Sequence, residues 1–474
     1  MSGVLLQYLD MCIAQCASAN YGVKIHTETI SDDTIKYMIT DSEQIHFEIH
    51  GGKKLHGAVE VGGSKNGAVV LLSAAMLNTA PTTLYNVPKI EEVYRLLEVL
   101  ESIGMEAVWE KNSLTLIPPV AYDLKALNIE SAKRTRSILM FIGPLLHSLE
   151  SFSLPHSGGC KLGSRTVRPH FFALEKLGVK IQTKDSSWVV SKGKLAPAEI
   201  IMYESSDTAT ENVIMAASRI PGATTIKYAS ANYQVQELCF FLEQCGVKID
   251  GIGTTTLVVH GKKSINTAVA YSLSEDPIVA MLYLSVAIVT RSSITITRAP
   301  IEFLEKELLT LENMGFRYEV LKRYVSKNKR TKLVDIKTRP SILKAPEDKI
   351  HACPYPGLNM DNLPFFAVIA TQARGTTLIH DWMYEKRALY LTELDKLGGE
   401  TILADPHRIY IEGPTVLRPA EIVAPPALRP AVVLLVAMLA ANGRSVLRNV
   451  YPINRGYDDI IGHLRGLGVE ISVL

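Results

Sequence analysis

One phrase occurs six times along the chain: LESIGMEAV, LEKLGVKIQ, LEQCGVKID, LENMGFRYE, LDKLGGETI and LRGLGVEIS. In each, an amphipathic stretch stops at a glycine and a strand-like stretch begins, the pattern of a helix closed by a left-handed cap. The glycines are Gly104, Gly178, Gly246, Gly315, Gly398 and Gly468, at steps of 74, 68, 69, 83 and 70 residues. A second phrase falls between them, in which an apolar helix, a small turn and a β-branched strand follow one another, as in AAMLNTAPTTLYNV and AMLAANGRSVLRNV. The chain is thus expected to be an α/β protein made of six mixed units. Each unit is too large for a solenoid repeat, and the set is too irregular for a TIM barrel. Six units suggest two domains of three.

The 474 residues are 47% hydrophobic and 21% charged, which suits folded domains with cores of their own. A formal charge of +2 leaves no overall basic field for nucleic acid, so an anion site has to be assembled locally. The runs PIVAMLYLSVAIV and PAVVLLVAMLAA are shorter than the ~20 residues a membrane span needs and read as buried helices. No basic segment precedes the first apolar residues, so export is not expected and the compartment is expected to be cytoplasmic. The six cysteines form no CxxC pair and no HExxH occurs, so neither a metal nor another cofactor is expected. GIGTTT (251–256) lies between two strand-like runs and reads as a hairpin turn, not a dinucleotide loop. Two regions break the repeat. Residues 1–45 precede it, and 322–345 is a basic excursion, expected to be an exposed loop or a local anion patch.

Basic residues recur where turns or helix starts are expected: Lys65 with Asn66, Arg136, Arg165 and Arg168, Arg387, Arg429, and Arg455. Several sit just ahead of helices, where free backbone N–H groups already favour anions. Singly, each reads as a solvated or capping charge. Arg165 and Arg168 follow HSGGCKLGS, in which glycines surround Cys160; these are the parts of a lid that closes on an anion, and also of an ordinary surface loop.

The phrases VGGSKNGAVVLLSAAML, GGCKLGSRTV, ATENVIMAA, GLNMDNLP and INRGYDDIIGHLRGLGVEI resemble the enolpyruvyl transferase family, over a span from about Phe47 to the C-terminus. The nearer branch is the one that uses UDP-N-acetylglucosamine, and the more distant one uses shikimate 3-phosphate. The resemblance implies a two-domain inside-out α/β barrel of six βαβαββ units. One domain would comprise 46–64 plus 273–474 and the other 65–272, with 1–45 an extension of unknown role. It implies transfer of the enolpyruvyl group of phosphoenolpyruvate to a hydroxyl of a nucleotide acceptor, with release of phosphate and without nucleic acid or membrane as partner. Lys65, Arg136, Arg165, Arg429 and Arg455 would bind phosphoenolpyruvate. Cys160, Asp361 and Lys65 would be catalytic, with Asp361 the base and Cys160 the acid of the lid. Asn66, Arg165, Thr166, Val167, Arg168, Ser205, Ser206, Thr208, Asp361 and Arg387 would face the acceptor.

The acceptor side departs from the family pattern. RTVRPH stands where R-P-V-D-L-H is usual, and Asp207 and Thr208 interrupt the S-V-G-A-T-E-N motif. Met360 and Ala427 replace a threonine and an aspartate, and Glu204 stands where lysine is common. UDP-N-acetylglucosamine and a smaller acceptor such as UMP, as in nucleoside-antibiotic pathways, both stay open. A non-catalytic nucleotide-binding paralogue is the alternative of another class.

Overall fold

The computed structural model describes residues 45–156 and 166–474. Cys160 and Arg165, like the extension up to residue 44, lie outside the described residues. All six repeat glycines have positive φ, between 84° and 105°. The N–H of Gly104 donates to Glu101 and that of Met105 to Leu100, and the same pair of bonds closes the helices at Gly246, Gly315, Gly398 and Gly468. A side chain at such a φ costs roughly 1–2 kcal/mol, which is why glycine punctuates every unit.

Among the described residues the strands form six small sheets. After five of the repeat glycines an antiparallel hairpin follows, as in Glu106–Glu110 with Ser113–Ile117, while after Gly468 the last strand, Glu470–Val473, pairs antiparallel with Phe47–Gly51. Each hairpin is joined by the strand that precedes its helix, as Thr82–Tyr85 joins Ser113–Ile117. One such strand, Ser151–Pro155, has no counterpart of the second sequence phrase and edges a three-stranded sheet. Strand residues alternate between buried and exposed, so each sheet turns one face to solvent. The helices fill the interior.

Buried apolar residues form two separate clusters. One joins 47–61 to 278–471 and includes Tyr233, and the other spans 68–273. In the first, the helices Pro277–Val289, Leu363–Ala370 and Leu428–Ala440 pack on one another with almost every residue buried. Each buried Leu, Ile or Val contributes roughly 1.5–3 kcal/mol by leaving water. The chain passes between the clusters twice, and the two passages pair: Ser64 N–H donates to Ser274 O at 2.9 Å and Asp276 N–H to Gly62 O at 3.0 Å. Gly63 is needed there, since a Cβ would lie 1.7 Å from the Asn86 carbonyl oxygen.

The basic excursion is not a loop. Arg317–Val325 and Lys332–Arg339 form an antiparallel hairpin. Leu333, Val334, Ile336 and Thr338 are buried, an alternation that the surrounding charges obscure in the sequence. Three of its cations meet acids, with Arg339 2.6 Å from Glu319, Lys332 2.8 Å from Glu302 and Arg330 2.7 Å from Glu243. GIGTTT is the turn of the hairpin Lys248–Asp250 and Thr256–Gly261. Among the described residues no helix is long and apolar enough to cross a membrane.

Candidate active site

Lys65 opens the helix Lys65–Ala74, whose N-cap, Ser64, accepts from Gly67 N–H through its hydroxyl. Asp276 at the second passage accepts from Lys65 N–H at 3.0 Å, and so fixes where the helix begins. Lys65 Nζ donates to Asn66 Oδ1 at 3.2 Å, and Asn66 Nδ2 reaches Tyr233 Oη at 3.0 Å and Gln234 Oε1 at 3.3 Å. Burial pushes the Lys65 amine below its ordinary range; the carboxylates of Glu92 and Asp361 oppose this, while Arg429 and Arg455 reinforce it.

Asp361 lies in the turn before the helix Leu363–Ala370. It accepts from Arg429 at 3.2 Å, and an Arg387 nitrogen lies 3.8 Å from its other oxygen. Burial alone would raise its pKa, but the two guanidiniums prevail and hold the carboxyl below the usual aspartate range. Arg429, at the start of the helix Leu428–Ala440, also donates to Tyr457 Oη at 2.8 Å. Arg455, at the end of the helix Tyr451–Asn454, donates to Glu92 at 2.6 Å. Burial pushes the Glu92 carboxyl up, yet Lys65, Arg455 and the Thr135 hydroxyl together bring it down to about 2. The structure thus gathers Lys65, Asp361, Arg429 and Arg455 around one spot, with Glu92 among them.

The residue pattern of the family described as EPSP synthase (3-phosphoshikimate 1-carboxyvinyltransferase) matches residues 49–464. The chain belongs to the EPSP synthase family. The UDP-N-acetylglucosamine 1-carboxyvinyltransferase of Bradyrhizobium diazoefficiens is 34% identical over 430 residues, 90% of this chain and 98% of that protein. The enzyme of the same name from Treponema denticola matches with the same figures. The structure of the enolpyruvyl transferase NikO from Streptomyces tendae superposes with a TM-score of 0.79 at 25% identity, over 91% of this chain and 99% of that one. EPSP synthase from Acinetobacter baumannii superposes at 0.69 and 17% identity, a likeness of fold alone. This member of the EPSP synthase family is an enolpyruvyl transferase, a carboxyvinyltransferase.

The remaining sequence candidates of this family member occupy three other places. Ser205, Asp207, Ser230 and Asn232 from one cluster face Asn359 and Met360 from the other across a narrow recess beside Asp361. Asp207 opens the helix Asp207–Ala217, with Ser206 as its N-cap, and accepts from Ser230 Oγ at 2.5 Å and Asn232 Nδ2 at 2.9 Å. Thr208 Oγ1 is 3.2 Å from His170 Nε2, which ties this helix to Arg168–Lys176. Arg136 donates to Thr166 O at 3.1 Å, and Thr166 Oγ1 accepts from Arg168 N–H at 3.2 Å, so Arg136, Thr166, Val167 and Arg168 lie along one edge.

Arg387 is placed differently from the expectation that it faces the acceptor. It has no exposed surface, its guanidinium forks onto Asp381 and Met360 O, and it stacks 4.2 Å from the Tyr384 ring. Its remaining guanidinium nitrogen lies 3.8 Å from Asp361 Oδ1. Glu92 escaped sequence reasoning because a glutamate in the first turn of a helix has the look of an ordinary dipole cap.

Proposed function

We propose that Lys65, Arg429 and Arg455, with Arg136 and Arg165, hold the phosphate and carboxylate of phosphoenolpyruvate. Burying that much charge requires paired, hydrogen-bonding cations, and arginine forks match both groups. Asp361 takes the proton of the acceptor hydroxyl as its oxygen bonds to C2. Cys160 gives a proton to C3. The tetrahedral adduct then loses phosphate by cleavage of its C–O bond, and loss of a C3 proton restores the double bond. Lys65 stabilises charge on the phosphate side in the transition state. The observation that carries this reading is the ionised Asp361 held between Arg429 and Arg387 within the cationic cluster. The carboxylate can accept that proton only in its unprotonated form, which the two guanidiniums favour against burial.

The two apolar clusters and the six sheets support dividing the chain into domains of 46–64 plus 273–474 and 65–272, each of three units. The acceptor in this reading is a uridine nucleotide, UDP-N-acetylglucosamine by the names of the relatives. One observation favours a second reading, a smaller acceptor such as UMP. Asp207 sets a carboxylate at a helix N-terminus lining the recess beside Asp361, which disfavours a diphosphate there. The test offers phosphoenolpyruvate with UDP-N-acetylglucosamine, UMP, UDP or shikimate 3-phosphate and reads phosphate release and product mass. Release without an acceptor, or none with any, would count against the proposal.

A further inference from the structure

Resting on the assignment of Lys65 and Arg455 to phosphoenolpyruvate, we infer that Glu92 is a positioning residue that spans the two apolar clusters and fixes the Arg455 guanidinium. Glu92 lies at the start of the helix Glu91–Ser102 in one half of the protein and is 4% exposed. Its Oε1 accepts from Thr135 Oγ1 at 2.5 Å and from Ser137 Oγ at 3.1 Å. These two bonds fix the carboxylate within its own half. Its Oε2 accepts from Arg455 of the other half at 2.6 Å. Lys89 N–H donates to Asp458 at 3.0 Å, so the segment entering this helix is docked on the segment leaving Arg455 at two points. An arginine set this way has its rotamer chosen before substrate arrives, and less ordering is left to binding.

The experiment is calorimetric titration of the full-length protein with phosphoenolpyruvate between pH 6 and pH 10, comparing wild type, Glu92→Gln, Glu92→Asp and Lys65→Ala. For Glu92→Gln, which loses the charge-assisted bond to Arg455, affinity for phosphoenolpyruvate is expected to fall about tenfold. Glu92→Asp retains a carboxylate and is expected to recover part of that loss, which separates charge from packing even if the glutamine variant folds poorly. Wild-type affinity in Glu92→Gln, or no recovery in Glu92→Asp, would overturn the inference. Lys65→Ala with unaltered affinity and pH dependence would overturn the underlying site assignment instead.

Discussion

An Arg387 guanidinium nitrogen lies 3.8 Å from an Asp361 oxygen, although Arg387 has no exposed surface. That nitrogen has no hydrogen-bond acceptor among the described residues, while the rest of the fork is taken by Asp381 and Met360 O. Arg387 thereby holds the Met360 carbonyl and keeps the Asp361 carboxyl low. Arg387→Lys keeps a charge and loses the fork. It is expected to lower kcat by roughly tenfold to a hundredfold with little change in KM for phosphoenolpyruvate. Arg387→Ala leaves Asp381 buried and unpaired and is expected to cost about 3–5 kcal/mol, read as a lowered urea midpoint.

Glu237 gives the fold a pH dependence of its own. It is 1% exposed, and its carboxyl accepts from Ser274 N–H at the second passage between the clusters. Burial raises its pKa from 4.5 to about 8, against the Ser274 bond and the Tyr271 hydroxyl. A raised pKa means that the folded state holds a proton the unfolded chain has released. The associated stability is complete below 4.5 and is lost as pH climbs to about 8. At about 1.4 kcal/mol per pH unit the loss is of order 5 kcal/mol. Thermal melts are expected to show Tm falling across this window in wild type and falling less in Glu237→Gln.

Cys160 follows two glycines and precedes Arg165, so its thiol is expected to be partly ionised and to react with fosfomycin, an epoxide that resembles phosphoenolpyruvate in charge. Cys239 and Cys245 are buried and their thiols are pushed up, that of Cys245 to about 12, so neither should react. Peptide mapping after treatment is expected to find the adduct on Cys160 alone, and Cys160→Asp to remain active without it. An adduct elsewhere, with Cys160 untouched, would remove the thiol from the proposal.

The repeat was legible because it rests on a backbone requirement. At each unit boundary only glycine tolerates the left-handed cap, so the spacing survives whatever the neighbouring side chains do. The buried helices Pro277–Val289 and Leu428–Ala440 were equally plain, since they are apolar on every side. Residues that act through a partner were harder to see. Arg387 has the spacing of the other helix-start cations, and only tertiary packing turns it inward. Glu92 and Asp276 look like first-turn and capping acids, and nothing local says that they meet Arg455 and Lys65 from the far side of the chain. The hairpin 317–339 was hidden because its exposed face carries the charge that reads as loop.

The most direct test of the central claim is single turnover of Asp361→Asn beside wild type, with phosphoenolpyruvate and whichever nucleotide the wild type accepts. The amide keeps the size of the side chain and a contact to Arg429, but it cannot take the hydroxyl proton. Wild type is expected to give equal amounts of phosphate and of acceptor heavier by one enolpyruvyl group. Asp361→Asn is expected to bind both substrates and turn over about a hundredfold more slowly or worse. Near-normal turnover by Asp361→Asn would contradict the assignment of the base and of the cluster built around it.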